Sequence, residues 1–366
     1  MKTILISTSS LWNCGDDFIR EGVLNLLQLK DNINTLWWNR GYGITNTYAN
    51  SLDVNLSLTD YFIVAGTPQW IYKNIYIYKY CLKHDIPFSL IGVGTSNLYK
   101  YHIKLLKHLA KSNLCEIALA RDIDAYNVFK EVGFKNIGLM IDPAFFMEPL
   151  KYRERKINVL GWRQQFWTGS ADYPLTFYFR YYKTMISKLK NYFRNKKKQN
   201  LENRNIYDIY FQKIFERMET PKLVIVHDNR EVKKAKKLFG ENNIFYSSNY
   251  KEMFKFLSKT KYYYGSRIHG AIPALIHGAS INLIYTSRKA NVLETSMGIL
   301  ENYNNNLKSL VNVKYWGKDI FENIDLNKNI SNINNQETNL TNAINAENIR
   351  INNILKKQKV LSQYML

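Results

Sequence analysis

The chain has 366 residues, 46% apolar and 14% aromatic, which excludes global disorder and exceeds what one ordinary core accommodates. Its 51 Lys and Arg against 30 Asp and Glu give a formal net charge of +21. That field suits an anionic partner, whether nucleic acid, acidic lipid or acidic small substrate; the Asn, Lys, Ile and Tyr bias of the whole chain offers a purely compositional origin for it. Cys14, Cys81 and Cys115 lack metal-ligand spacing and read as reduced structural thiols, so no metal site is expected. No apolar run approaches the roughly 20 residues of a membrane-spanning helix. The opening MKTILISTSSLW alternates into serines like a strand, unlike a signal peptide. A soluble, cytoplasmic protein is expected.

In chain order, KTILIST (2–8), YFIVAG (61–66), PFSLIGV (87–93), EIALAR (116–121) and IGLMID (137–142) are short apolar runs typical of buried parallel strands. Helical patterns at 16–29, 69–83, 99–112 and 122–132 separate them. This alternation predicts a doubly wound α/β domain over residues 1–150. The charged stretch EPLKYRERK (148–156) reads as a linker. A second α/β domain over 151–325 follows, with strands INVLGW (157–162), KLVIVHD (222–228), NIFYSS (243–248), KYYYGS (261–266) and SINLIYT (280–286). Two segments break the rhythm. Residues 168–220 read as a basic, aromatic helical elaboration, with eight cations and no acid between Pro174 and Lys198. Residues 326–366 form an Asn-rich tail ending in an amphipathic helix near 344–355, which either docks on the domains or frays.

The joint after KYYYGS carries the chemistry. Ligands of parallel sheets bind beyond the strands' carboxyl ends, where the next helix presents free N–H groups and the positive end of its dipole. There Gly265 permits a tight exit, Gly270 would let a ligand approach the backbone, and Arg267 offers a bidentate fork for carboxylate or phosphate. His269 can move a proton near neutral pH. The same residues are compatible with an Arg267 paired to a buried carboxylate and a His269 that caps a turn. His277 reads as a helix-terminal residue, and Asp228 as the cap of a helix beginning near Arg230.

The stretch GSRIHGAIPALIHGASINLIYTSRKANVLETSMGI resembles the signature of the polysaccharide pyruvyl transferase family, with Arg267, Ile268, His269 and Lys289 on its pattern. LWNCGDDFI is similar to the family's Asn-x-Gly-Asp element at Asn13, Gly15 and Asp16, and Arg121, Asp122, Gly133, Asp142 and Pro143 fall on further landmarks. Arg163 in NVLGWRQ sits where the family commonly has a strand-end arginine. The resemblance implies two Rossmann-like, doubly wound domains facing a cleft, as in glycosyltransferase-B enzymes. It implies transfer of pyruvate from phosphoenolpyruvate, a co-substrate and not a cofactor, onto two hydroxyls of a saccharide. His269 would then be the general acid, and Arg163, Arg267 and Lys289 would hold the donor anion. Asp16 is the candidate base, equally readable as a helix cap, with Asp17 as fallback; Asn13, Gly15 and Asp142 complete the acceptor side. The alternative is a sugar-nucleotide glycosyltransferase. The basic segment suggests peripheral contact with an anionic membrane, and no nucleic-acid motif accompanies it.

Overall fold

The computed structural model describes residues 2–8, 14–39, 56–66, 74–94, 100–151, 154–164, 207–285, 291–315 and 333–366. Its first sheet contains β1 (Thr3–Thr8), β2 (Asn34–Asn39), β3 (Tyr61–Ala65), β4 (Phe88–Val93), β5 (Cys115–Ala120) and β6 (Ile137–Leu139). All are parallel, in the order β2-β1-β3-β4-β5-β6. Four helices connect them: α1 (Cys14–Leu27), α2 (Ile75–His84), α3 (Lys100–Lys111) and α4 (Ile123–Val132). Both faces of the sheet are covered, as a parallel sheet requires. Along β3, Tyr61, Ile63 and Ala65 join the core on the α1 side, while Phe62 and Val64 meet residues of α2, α3 and α4. That two-sided burial makes its sequence a continuous apolar run.

The second sheet repeats the plan with β7 (Ile157–Gly161), β8 (Lys222–Ile225), β9 (Ile244–Phe245), β10 (Thr260–Gly265), β11 (Ser280–Tyr285) and β12 (Val311–Tyr315). Its order is β12-β11-β10-β7-β8-β9, again all parallel. Its helices are α5 (207–217), α6 (Asn229–Phe239), α7 (Tyr250–Leu257), α8 (Ile268–Ile276) and α9 (Asn291–Glu301), and α10 (Ile333–Leu355) follows. The two edge strands β2 and β12 are additions to the sequence expectation. In each sheet the order reverses beside the first strand, at β1/β3 and at β7/β10, and such switch points open the crevices where α/β proteins bind ligands.

Within the segment 168–220, α5 buries Tyr210, Phe211 and Ile214 in a core shared with Trp162 and Val224; the basic helix expected at 174–198 lies outside the described residues. The charged 148–156 stretch is fastened at both described ends. Leu150 donates its N–H to His277 Nε2 at 3.0 Å, and Arg155 Nη1 donates to the Gly278 carbonyl at 2.6 Å.

The tail docks. Helix α10 spans 23 residues and buries Leu340, Ala343, Ile351 and Leu355 in the core that also contains α1 and α8. Arg350 reaches across to the Leu139 carbonyl at 2.8 Å. Beyond the helix, the N–H groups of Val360 and Leu361 donate to the two carboxylate oxygens of Glu116, and Leu29 pairs with Met365. Chemical denaturation of Ile351→Ala or Leu355→Ala should show a loss of about 2–5 kcal/mol; a loss below about 0.5 kcal/mol, as at a surface site, would mean the tail frays.

Candidate active site

Helix α8 begins where β10 ends, with Arg267 as its N-cap residue and His269 in its first turn. Gly265 makes the joint possible: its φ of +149° lies where side chains are strained, and a Cβ there would run into the Gly161 backbone of β7. Gly270 also has a packing role: a Cβ on it would lie 2.5 Å from Tyr263 Oη and 3.0 Å from His227 Nε2, so the missing side chain serves helix–strand packing.

Arg267 does not stand as an unencumbered anion fork. Its Nη2 pairs with a carboxylate oxygen of Glu231, which lies in the first turn of α6 and is almost fully buried. The second oxygen of Glu231 accepts the Gln164 N–H at 3.2 Å. Burial pushes the Glu231 carboxyl up despite the opposing pull of Arg267 and Arg163. Arg163, half-buried two residues beyond β7, has its pKa lowered by burial and by the charge of Arg267. The β7/β10 switch point thus brings Arg267 and Arg163 together with Glu231, within reach of the Arg230-paired Asp228 and beside the positive end of α8.

His269 faces the first sheet. Its Nε2 lies 3.6 Å from Asp142 Oδ2 and 3.4 Å from Arg121 Nη1, and Arg121 Nη1 donates to the same Asp142 oxygen at 2.7 Å. Asp142 is fully buried. Burial opposes its ionisation, but Arg121, His269 and the Ala144 N–H outweigh that penalty and hold its carboxyl down at about 2. The expected turn role is real as well: Asp142 Oδ1 caps the 3-10 turn Pro143–Phe146, accepting from Ala144 N at 2.9 Å. Its own N–H donates to Ser296 Oγ of α9 at 2.9 Å. One residue therefore ties the two sheets together at the histidine.

Helix α1 brings the remaining candidates to the same place. The charges of Asp17, Arg267 and Asp16 all act on Cys14 at its start, where burial drives the thiol pKa upward. Phe18 meets His227 edge-on at 6.5 Å between ring centroids. Gly15 is buried and Asp16 half-buried in the first turn. Asp17 departs from its fallback role as base, because it is buried and pairs with Arg20 on its own helix at 3.0 Å. Asn13 and Lys289 lie outside the described residues. Asp228 caps α6 through the Arg230 N–H at 2.9 Å. His277 is structural, with Nδ1 donating to the Pro273 carbonyl at 2.6 Å.

Arg121, Glu231 and Ser296 join the site without having been singled out for it. Arg121 was visible only as a landmark of the family pattern, and Glu231 offered no signal beyond its place just after a strand end. A groove of about 690 Å³ lies at the other end of α1, lined by residues including Leu24, Gln28, Phe146, Ile276 and Ile344. It contains none of the candidate residues.

Two stability tests follow from this geometry. Gly270→Ala should destabilise the ligand-free protein by about 1–3 kcal/mol through overpacking, measured by denaturation; unchanged stability would mean that Tyr263 and His227 do not crowd this position. Asp142, depressed below the ordinary carboxylate range, contributes stability that is complete above about pH 4 and lost as pH falls through about 2. His227 is held neutral chiefly by burial, so stability should already begin to fall below about pH 6.5, where the unfolded imidazole takes up a proton. A flat stability curve between pH 7 and 5 would contradict the buried neutral imidazole.

The comparisons with known proteins bear on fold and family separately. A UDP-N-acetylglucosamine 2-epimerase assignment from Listeria monocytogenes superposes with a TM-score of 0.53 at 10% identity, covering 97% of this chain and 96% of that one. The UDP-GlcNAc 2-epimerase of Neisseria meningitidis, bound to UDP-GlcNAc, gives 0.48 at 12% identity over 98% and 100% of the two chains. At 10% identity the Listeria likeness is one of fold alone, two parallel α/β sheets in a glycosyltransferase-B-like arrangement. No curated protein sequence matches the chain. The polysaccharide pyruvyl transferase family model matches residues 13–287, a span that runs from α1 through the Arg267–His269 joint. The chain belongs to the polysaccharide pyruvyl transferase family.

Proposed function

We propose that this protein transfers pyruvate from phosphoenolpyruvate onto two hydroxyls of a saccharide destined for the cell surface, forming a cyclic ketal. The observation that carries the reading is His269 in the first turn of α8, two residues after Arg267, whose charge also acts on Arg163, and backed by the buried Asp142–Arg121 pair. Phosphoenolpyruvate carries a carboxylate and a phosphate on a small carbon frame. Guanidiniums and a helix N-terminus suit both groups, and the reaction itself calls for no metal.

In this reading His269 protonates the methylene carbon of the enol. The first sugar hydroxyl attacks the cationic carbon beside it and gives its proton to the base. The carbon–oxygen bond to phosphate then breaks, and the second hydroxyl attacks the same carbon to close the ring, returning its proton to the now neutral His269. The Asp142–Arg121 pair occupies the Nε2 side of the imidazole, which leaves Nδ1 to face the donor. Glu231 fixes the Arg267 fork and offsets part of the cationic field, so that a doubly anionic ligand is drawn in while inorganic phosphate can leave. Asp16 is the carboxylate best placed to take the hydroxyl proton, being half-buried in the first turn of α1, where Arg267 and Cys14 also meet.

The glycosyltransferase alternative draws on fold likeness alone, and one fold hosts many chemistries. Phosphoenolpyruvate is a cytoplasmic compound, so the reaction belongs in the cytoplasm. A peripheral position at the inner membrane face would suit a lipid-linked acceptor. No helix among the described residues is long and apolar enough to cross a membrane.

Phosphate release from phosphoenolpyruvate, measured with a panel of saccharide diols, tests the reading. His269→Gln should lower kcat by about 10²–10⁴-fold with little change in donor KM, whereas Arg163→Gln should mainly raise donor KM. Asp142→Asn should lower kcat, since the carboxylate behind the imidazole is gone. Equal activity of His269→Gln and wild type would remove the general acid and the proposal with it.

A further inference from the structure

Helices α2, α3 and α4 lie side by side on one face of the first sheet, sharing a core through Ile77, Leu106 and Phe129. Each follows a parallel strand and runs back antiparallel to it, so all three begin at the strands' carboxyl edge, the edge that carries the cleft. The first turn of each helix exposes a large apolar side chain at that edge. Tyr76 is 65% exposed, Tyr101 55% and Ile123 43%. Soluble surfaces tolerate such residues singly, but here three occupy equivalent positions on consecutive helices.

Behind this rim the surface is cationic. Lys79 follows Tyr76 by one helical turn and Lys104 follows Tyr101 likewise, and Lys83, Lys107 and Lys111 continue along the same exposed faces. Neither α2 nor α3 contains a carboxylate. Acids resume only at Asp85, past the far end of α2, and within α4 at Asp124 and Glu131. The remaining exposed positions on the two helices are His84 and His108. An apolar rim backed by lysines with apolar stems is the arrangement that seats a peripheral protein on an anionic leaflet. Rings enter the headgroup boundary and ammonium groups meet phosphates.

We propose that this α2–α3 face, with Ile123 at its corner, is a docking surface for an anionic lipid bilayer. It holds the open edge of the cleft against the headgroups. Docking itself is independent of the reaction at His269; only the corollary that the acceptor is lipid-linked rests on the pyruvyl-transfer reading. A nucleic acid would use the lysines but has no need of the apolar rim.

The test is co-sedimentation of the full chain with phosphatidylglycerol–phosphatidylcholine vesicles and with pure phosphatidylcholine vesicles. Binding should require the anionic lipid. Each lysine near such a leaflet contributes roughly fivefold in affinity, so Lys79→Gln, Lys104→Gln and Lys107→Gln together should weaken binding on the order of a hundredfold. A control with the same charge loss on the other domain, Lys233→Gln, Lys237→Gln and Lys255→Gln, should lose far less. Tyr76→Ser with Tyr101→Ser should weaken the part of the binding that survives added salt. All these positions are exposed, and circular dichroism checks that each variant is folded. Equal losses from the two lysine triples would overturn the proposal, as would vesicle binding indifferent to the two tyrosines. Either result would leave phosphate release by His269 untouched and testable in free solution.

Discussion

A carboxylate with no access to water sits between the two sheets, and the geometry of the cleft depends on it. Asp142 must be paired to remain ionised in such a place. Its partners come from three directions: the Arg121 side chain from the end of β5, the Ala144 N–H from the turn that Asp142 itself caps, and His269 from α8 across the cleft. Its own N–H is tied to Ser296 of α9. No large displacement of the second sheet relative to the first preserves all of these bonds. The requirement to satisfy one buried charge thus places the first turn of α8 against the end of the first sheet and sets the direction of the imidazole.

A second buried carboxylate plays the corresponding part within the second sheet. Glu231 holds Arg267 from the first turn of α6, while Arg163 adds its charge from the end of β7. A lone guanidinium at a helix N-terminus would bind anions indiscriminately and release them slowly. Opposing it with a buried carboxylate holds the fork in place and offsets part of its charge. His227 lines the same region in its neutral state, and Gly270 is missing a side chain because Tyr263 and His227 fill that volume. The joint is therefore a packed and electrostatically balanced structure, more enclosed than an open phosphate cradle.

Much of this was legible in the residues. Strands buried on both faces reveal themselves as unbroken apolar runs, and the Arg267–His269 pair stands out because a strand-to-helix joint in a parallel sheet seldom needs a cation and an imidazole for structural reasons. Edge strands were harder: NTLWWN has too few apolar residues between its asparagines to suggest β2, and β12 (VNVKY) is interrupted by Asn312 and Lys314. The docking of the tail rests on Glu116 meeting two backbone N–H groups some 240 residues away, a contact that no local pattern encodes. The pairing of Arg267 with Glu231 was open on both readings of the joint, since a guanidinium shows no preference between a protein carboxylate and a ligand's until the fold supplies one. Asp17, next to Asp16 in the first turn of α1, turned onto Arg20.

Calorimetric titration of phosphoenolpyruvate and, separately, of UDP-GlcNAc into the wild-type protein and into Arg267→Lys addresses the central claim most directly. The lysine keeps a cation opposite Glu231 while removing the fork, so loss of donor binding cannot be ascribed to an unpaired buried carboxylate. The account predicts that phosphoenolpyruvate binds the wild type, that Arg267→Lys binds it at least tenfold more weakly, by about 1.4 kcal/mol, and that UDP-GlcNAc does not bind. Binding of the nucleotide sugar in place of phosphoenolpyruvate, sensitive to the same substitution, would contradict it.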